Sequence, residues 1–405
     1  MYEKDTISIL IPCHNAGKTI QRLLDSILNQ TYTKYEVILV NDASTDDVDA
    51  VIQKYINTFK SKNIKFIYLK HKNNIGAAGA INTGLKYVHG EYLVWPDADD
   101  YFTLNSLQTR INCLKENPDC GFCCGAVEMH YVDDGKNIIS NIFEEDKLHN
   151  CLIQMLFMKK FLFCPGQYMI KMSWFDEIYP DREIYVTRFG QNLQMLLPIA
   201  YKSNCAIVHE VVYHYMVSKS GDYLSNISTL ERNIKRDELY EECLVNVIRK
   251  INSLGKREIC DSTIKKMCDC NRLATYSRHG VDISDETKIM QLAYGLINFD
   301  GLKTNVNKRK ILIWGYNSYG KLWKKILENQ GMGVEGFIDS NKEICDGKKI
   351  MYYTEIDADK KCYIFVSMRR YYLDVIQYLH NMHYERINDY FYLYEEIADI
   401  TSHQD

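Results

Sequence analysis

Short, almost wholly apolar runs alternate with amphipathic segments over the first hundred residues, and this rhythm limits the folds open to the chain. The predicted strands cover residues 6–12, 35–40, 64–69 and 92–95, and the predicted helices cover residues 18–28, 47–59 and 77–88. Strands that are apolar on both faces are typical of parallel sheets with helices packed on either side. We therefore predict an α/β domain with a mostly parallel sheet and helices on both faces.

A polar segment follows each of these predicted strands. The four segments are residues 12–15, 41–47, 74–84 and 97–100. In open α/β sheets, ligands bind outside the carboxyl ends of the strands. The sequence therefore predicts that the four segments converge on one binding site.

The fourth segment, Asp97-Ala98-Asp99-Asp100, places three carboxylates in one tight turn. Like charges this close raise each other's pKa unless a cation neutralises them. Mg²⁺ and Mn²⁺ prefer oxygen ligands, which are often one or two carboxylates together with substrate phosphates. The alternative is a solvated turn, or a helix cap formed by Asp99 or Asp100. The three other polar segments favour metal binding.

As a set, the four segments resemble those of the family-2 inverting glycosyltransferases with the GT-A fold, of the bacterial surface-polysaccharide type. The resemblance is clear over residues 5–105 and weaker to residue 220. It implies a hexosyltransferase (EC 2.4) that moves a sugar from a nucleotide diphosphate sugar, most simply a UDP-sugar, with inversion. The implied acceptor is a glycan, a lipid-linked sugar or a glycoprotein, and the implied cofactor is Mn²⁺ or Mg²⁺.

The resemblance also assigns roles to individual residues. Residues 12–15 match the loop around the nucleotide base, and Asp42 matches the carboxylate that bonds the base or ribose. The implied nucleotide-binding residues are Pro12, Cys13, His14, Asn15, Asp42, Asn74, Gly76, Asp97 and Ala98. The implied metal ligands are Asp99, as the principal one, and Asp97.

One position departs from the family pattern in the third segment. Ile81 precedes Asn82, where the family often has an arginine, so a cation facing the phosphates is either missing or supplied from elsewhere. For Asn82 and Gly84, helix packing and ligand contact are equally open.

Inverting transfer needs a general base for the acceptor hydroxyl. In the family this is a carboxylate just before a helix that matches predicted helix 192–200, but here Gln191 and Asn192 stand at that place. An amide cannot act as the base. Among the neighbouring acids we predict Asp181 as the catalytic residue, with Glu183 and Asp222 as alternatives. A solvated surface role remains open for each.

The rest of the chain predicts two further regions. Residues 223–305 form a helical linker or acceptor region after the transferase domain at 1–222, and residues 306–405 repeat the α/β rhythm. In the last region a strand is followed by the loop at 315–320 and, at the next strand end, by Asp339, as in Rossmann-like domains. Asn317 replaces the middle glycine of the dinucleotide loop. A non-catalytic or assembly role is favoured over redox chemistry.

The charge, cysteine content and hydropathy of the chain limit its possible partners and its cellular location. A net charge of −4 gives no basic surface for nucleic acid. The 14 cysteines have no paired metal-knuckle spacing and suit a reducing cytoplasm. No signal peptide or spanning apolar run is evident. We expect a cytoplasmic protein, and a homo-oligomer is compatible with the sequence.

The apolar stretch 155–163, with two lysines, is either a core element or a peripheral contact at the inner face of the membrane.

Two other hypotheses compete with the hypothesis that the chain is a transferase. The first is a catalytically weak or inactive nucleotide-binding scaffold, which Gln191 and Asn192 would permit. The second is a bifunctional enzyme whose C-terminal domain also uses a nucleotide. His214, between two tyrosines, is a packed core residue or an additional metal ligand.

Overall fold

The computed structural model describes most of the chain. The described residues are 2–133, 135–140, 143–149, 151–156, 161–217, 229–255, 261–281, 286–341, 350–356, 362–367 and 372–392. The chain divides into two compact units. The N-terminal unit comprises Met1–Ser225 and Glu242–Arg257, and the C-terminal unit comprises Asn226–Glu241 and Glu258–Asp405. The three-part division expected from the sequence stays a prediction.

The N-terminal unit is built on one large sheet. Its strands are Glu3–Cys13 (β1), Tyr35–Asn41 (β2), Phe66–Lys70 (β3), Gly90–Val94 (β4), Tyr101–Phe102 (β5), Cys120–Tyr131 (β6), Lys136–Ser140 (β7), Lys147–Leu148 (β8), Tyr168–Lys171 (β9) and Asn204–Val217 (β10). Its helices are Ile20–Leu28 (α1), Val48–Ser61 (α2), Gly76–Leu85 (α3), Ser106–Glu116 (α4), Leu152–Leu156 (α5), Met172–Ile178 (α6) and Gln191–Lys202 (α7). Helix Thr229–Leu254 (α8) contributes to both units.

The first half of the sheet is parallel, in the order β3-β2-β1-β4. Every residue of β2 is buried, and the run is apolar except for Glu36, which bonds Ser8 and Lys65, and the terminal Asn41. Cys13 pairs with Asn41 and Asn41 pairs with Lys70, so the strands end at a common edge. This register brings the polar segments that follow β1 and β2 side by side.

The second half of the sheet is mixed. β9 is antiparallel to both β4 and β6, β6 is parallel to β10, and β10 is antiparallel to β5. β7 adds to β6, and β8 adds to β10. The α/β class is confirmed, whereas the expectation of a mostly parallel sheet holds only for the β3-β2-β1-β4 half, because β5, β7, β8 and β9 all pair antiparallel with their neighbours.

Helix α3 lies unusually close to β1. A Cβ on Gly84 would lie 2.1 Å from Cδ1 of the buried Leu10, so a larger residue here would force Leu10 to move. The Asn82 side chain donates to Ile184 O at 2.8 Å and accepts from Ile184 N at 2.9 Å. The packing interpretation of Asn82 and Gly84 is therefore confirmed.

The C-terminal unit has a second, wholly parallel sheet. Its strands are Lys310–Trp314 (β11), Val334–Asp339 (β12), Ile350–Tyr352 (β13), Cys362–Val366 (β14) and Tyr390–Tyr392 (β15). Its remaining helices are Asp261–Arg278 (α9), Glu286–Leu296 (α10), Phe299–Val306 (α11), Ser318–Asn329 (α12) and Tyr372–Asn381 (α13). The strand order is β13-β12-β11-β14-β15. The small α/β sheet predicted here is confirmed.

Membrane contact was one expectation of the sequence. Within the described residues, no helix has both the length and the apolar character needed to cross a bilayer. The apolar stretch 155–163, for which a core element and a peripheral membrane contact are both open, includes residues 157–160, which lie outside the described part of the chain.

Candidate active site

The loops after β1 and β2 are joined by hydrogen bonds at the sheet edge. Asn15 N donates to Ser44 Oγ at 2.9 Å, and Thr45 N donates to Asn15 Oδ1 at 2.8 Å. Asn15 has a φ of 52°, in the left-handed region that asparagine tolerates better than most residues. The two polar segments therefore form one surface, as their positions in the sequence predict.

Asp42 is the centre of this surface. Its side chain is buried, and Oδ1 accepts from Ile75 N at 3.0 Å while Oδ2 accepts from Gly76 N at 2.7 Å. His71 Nδ1 lies 2.7 Å from Oδ1. Asp42 thus holds the segment after β3 against the segment after β2, which brings Asn74 and Gly76 to the same edge. Gly76 has a φ of +87°, a conformation that favours glycine.

The predicted base-binding loop begins inside the fold and ends at its surface. Pro12 is half-buried, Cys13 is buried, and His14 is exposed. Burial raises the pKa of the Cys13 thiol to about 12, so the thiol stays neutral and fills space. His14 Nδ1 lies 2.8 Å from Asp42 O, which fixes the imidazole over the loop junction. His14 and Asn15 are therefore the members of this loop that reach solvent.

The acidic turn (residues 97–100) follows β4, and its three carboxylates differ in their surroundings. Asp100 is buried, accepting from Tyr213 O–H at Oδ2 (2.7 Å) and from Met216 N at Oδ1 (2.8 Å). Tyr213 Oη also accepts from Asp97 N at 3.0 Å. Asp100 therefore fastens the turn to β10. The next residues form β5, so the alternative of a helix cap by Asp99 or Asp100 is wrong.

The carboxylates of Asp97 and Asp99 are available to bind a ligand. Within the described residues, neither carboxylate accepts a hydrogen bond from another residue. Asp97 is half-buried, Asp99 is exposed, and Ala98 between them is buried. Burial first, and then repulsion from Asp99, raise the pKa of Asp97 to about 7. Although the Asp99 side chain reaches the surface, the surrounding protein removes part of its hydration and raises its pKa, and the charge of Arg22 opposes that shift.

These properties fit a hard divalent cation. Two unpartnered carboxylates with raised pKa values are stabilised when a cation replaces the protons. Their oxygen atoms are the ligands that Mg²⁺ and Mn²⁺ prefer. Arg22 donates through Nη2 to the backbone carbonyl of Asp99, which fixes the outer side of the turn. Asp97 and Asp99 are therefore the residues that could hold such an ion.

Arg188 brings a cation to the segment after β3. Its Nη1 donates to Asn74 Oδ1 at 2.6 Å, and its side chain lies 3.5 Å from the Cβ that Gly76 lacks. This is the segment where Ile81 replaces the arginine of the family pattern. Sequence reasoning missed Arg188 because 114 residues separate it from Asn74.

The amides at the start of α7 have structural roles. Asn192 Oδ1 accepts from Trp95 Nε1 at 2.8 Å, and its Nδ2 donates to Phe163 O at 2.8 Å. Asn192 thereby connects α7 to Trp95, which immediately follows β4. Gln191 begins the helix after Gly190, whose φ is +83°. Neither amide replaces the carboxylate that the family has at this place.

Asp181 is not brought together with the acidic turn. It is exposed, and the adjacent Arg182 donates to the carbonyls of Leu85 and Val88 in the connection before β4. The acidic turn lies beyond the other end of that strand, and the five residues of β4 alone span on the order of 13 Å at about 3.3 Å per residue. The role of Asp181 as base stays a prediction, and Asp222 lies outside the described residues.

The C-terminal loop is organised by its own side chains. Asn317 caps α12 by accepting from Gly320 N, and Tyr316 N donates to Asp339 Oδ2 at 2.9 Å. A Cβ on Gly320 would lie 2.1 Å from Gly315 O, so this turn requires glycine. Asn317 and Asp339 therefore shape the loop. A bound nucleotide in this unit stays a prediction.

Sequence profiles match two parts of the chain. Residues 8–179 match the family described as glycosyl transferase family 2. Residues 307–388 match the family described as C2185-like, N-terminal. The first match covers the sheet edge described above, and the second covers most of the C-terminal α/β region.

Relatives and a solved structure agree with the first match. A UDP-Glc:alpha-D-GlcNAc-diphosphoundecaprenol beta-1,3-glucosyltransferase (WfaP) of Escherichia coli is 34% identical over 27% of this chain and 42% of its own length. Chondroitin synthase of E. coli is 32% identical over 36% of this chain and 21% of its own length. The chain spans less than half the length of such curated relatives. S. aureus TarS 1–349 in complex with UDP-GlcNAc has a TM-score of 0.51 at 13% identity, covering 81% of this chain and 92% of that chain, which shows a shared fold.

Proposed function

We propose that this chain, whose residues 8–179 match the family described as glycosyl transferase family 2, transfers a sugar from a UDP-sugar to a hydroxyl group with inversion. The proposed acceptor is a glycan, a lipid-linked sugar or a glycoprotein in bacterial surface glycan synthesis. The observation that carries the proposal is the pair of available carboxylates, Asp97 and Asp99, beside loops that Asp42 holds in place. The UDP-sugars in the names of the relative and the solved structure support the choice of donor.

The loops supply the nucleotide-binding part of the proposal. His14 and Asn15 reach solvent beside Asp42, and Asn74 and Gly76 border the same edge. Because Asp42 already accepts two backbone N–H groups, its main contribution is to hold the segment after β3 in a binding conformation. Base and ribose are then contacted by the groups around it.

The acidic turn supplies the cation site. Asp99, with Asp97, would hold Mn²⁺ or Mg²⁺. When bound, such an ion neutralises charge that builds on the leaving diphosphate. Asp100 takes no part in this, because Tyr213 and the backbone of Met216 occupy its oxygens.

Arg188 completes the phosphate side. Its guanidinium bonds Asn74 at the segment that the family uses for nucleotide contact. Arginine recognises phosphate through charge-assisted hydrogen bonds that lysine reproduces poorly. We therefore assign to Arg188 the phosphate-facing charge that Ile81 cannot provide.

The acceptor side favours a second candidate function. Gln191 and Asn192 provide no carboxylate, and Asp181 lies near the far end of β4. A nucleotide-binding scaffold with weak or no turnover would keep the donor site and lack a base. Turnover therefore distinguishes the two functions, whereas nucleotide binding does not.

The test measures UDP binding by calorimetry and UDP release from UDP-sugars with Mn²⁺, using wild type, Asp99→Asn and a control, Asp146→Asn. Asp146 is a highly exposed acid of the same unit, paired with His209. We expect wild type and Asp146→Asn to bind and turn over, with release lowered at least about 100-fold in Asp99→Asn. Binding without release in wild type would support the scaffold. Equal release by Asp99→Asn and wild type would contradict the assigned site.

A further inference from the structure

A second group of metal-type ligands lies on the long β6–β10 pair. β6 carries Glu128 and His130, and β10 carries His214. In the parallel register, His214 pairs with Glu128 and Met216 pairs with His130. Side chains two residues apart on one strand share a face. The three side chains therefore meet on the same face of the sheet, where we call them the Glu-His-His cluster.

The ligand atoms form a compact triangle. His130 Nε2 lies 2.9 Å from His214 Nδ1, Glu128 Oε2 lies 3.2 Å from His214 Nδ1, and Glu128 Oε2 lies 3.7 Å from His130 Nε2. Zinc–nitrogen bonds of about 2.0–2.1 Å in a tetrahedron place neighbouring ligands roughly 3.3 Å apart. The three distances bracket that value, and all three residues are half-buried, so water can complete the coordination.

Neighbouring side chains fix the triangle in place. The Tyr101 ring stacks on the His214 imidazole, with centroids 4.3 Å apart and planes 17° apart. Asn137 Nδ2, from β7, lies 3.3 Å from Glu128 Oε1, which leaves Oε2 directed toward the two imidazoles. Orientation of ligands by such neighbours is what metal sites require.

The cluster is separate from the acidic turn. Tyr213 Oη bonds Asp97 and Asp100, and successive side chains of a strand point to opposite faces. His214 therefore faces away from that turn, and the cluster adds a site rather than a ligand to Asp97 and Asp99. Its donor set also differs, because two imidazoles and one carboxylate suit zinc-type ions and not Mg²⁺.

We propose that Glu128, His130 and His214 bind one divalent transition-metal ion of the zinc class. The ion would connect β6 to β10 and, through Tyr101, to β5, which directly follows the acidic turn. With three protein ligands it would keep one position for water, and it would lie across the sheet from the carboxylates of the proposed transfer site. This proposal does not depend on the transferase function.

The experiment titrates Zn²⁺ into untagged, chelator-treated full-length protein in excess Mg²⁺, with calorimetry and thermal unfolding as readouts. The variants are Glu128→Gln, His130→Ala and His214→Ala. The control is His209→Ala, which changes a histidine of the same strand that pairs with a carboxylate but, among the described residues, belongs to no group of metal-type ligands.

We expect one equivalent of Zn²⁺ to bind wild type and His209→Ala with equal affinity and to raise their unfolding temperatures. Loss of an orienting neighbour typically weakens metal sites about 10–100-fold, so loss of a ligand should weaken this one at least as much. Glu128→Gln preserves shape and keeps the test valid if a histidine variant fails to fold. Absence of a stoichiometric site in wild type, or unchanged affinity in Glu128→Gln and the histidine variants, would overturn the proposal.

Discussion

Lowering the pH from 8 to 6 should weaken Mn²⁺ binding at the acidic turn by about tenfold. The pKa of Asp97 is raised to about 7 by burial and by the charge of Asp99, so a bound ion must displace a proton. For one such proton, the apparent dissociation constant scales with 1 + 10^(7 − pH), which is about 11 at pH 6 and about 1.1 at pH 8. The raised pKa of Asp99 acts in the same direction.

The assay counts free Mn²⁺ by electron paramagnetic resonance at several pH values without nucleotide. It uses the His214→Ala background, so that the Glu-His-His cluster contributes no competing site. Asp146→Asn should keep the tenfold change, whereas Asp97→Asn should flatten the profile because it has no proton to release. A flat wild-type profile, or a tenfold change that persists in Asp97→Asn, would refute the reasoning.

Substitutions at three further positions test two side-chain contacts and one backbone conformation. Arg188→Ala should raise the KM for the sugar nucleotide about tenfold, as expected for one charged hydrogen bond, and Arg188→Lys should restore only part of this in steady-state kinetics. Gly76→Ala should lower the free energy of unfolding by about 1–2 kcal/mol in denaturant titrations, because φ is +87° there; an unchanged midpoint would contradict that strain. Tyr213→Phe should destabilise the protein by about 1–3 kcal/mol in the same assay, because buried Asp100 loses its hydroxyl partner; wild-type stability would show that the bond contributes nothing.

The parallel half of the N-terminal sheet could be predicted because its signals are local. Buried strands such as β2 are mostly apolar runs, and a polar segment follows each one directly. The carboxyl ends of parallel strands share an edge, so convergence of these segments follows from topology alone. The confirmed α/β class depends on this same pattern.

The different roles of the three carboxylates in the acidic turn could not be predicted from the sequence. Asp97, Asp99 and Asp100 look alike in sequence, and the partner that makes Asp100 structural is Tyr213, 113 residues away. Arg188 reaches Asn74 across a comparable separation. Such contacts depend on tertiary packing, for which one sequence carries no local signal.

The sequence contains only a weak indication of the Glu-His-His cluster. Glu128 and His130 stand two residues apart at the end of a strand that is otherwise apolar, which indicates a polar face with period two. From the sequence, His214 is either a packed core residue or an additional metal ligand, with no indication that Glu128 and His130 lie beside it. The parallel pairing of β6 with β10, which places it beside them, became evident only from the structure.

The central claim is that Asp97 and Asp99 bind a divalent cation and, through it, the diphosphate of a sugar nucleotide. Crystals of the protein soaked with UDP and Mn²⁺ test this most directly, since manganese gives an anomalous signal. We expect a manganese peak within about 2.5 Å of a carboxylate oxygen of Asp99, with the same ion also bound to the diphosphate. The Arg188 side chain should lie on the phosphate side of the nucleotide. UDP bound at this edge with no manganese at either carboxylate, or manganese bound only at the Glu-His-His cluster, would contradict it.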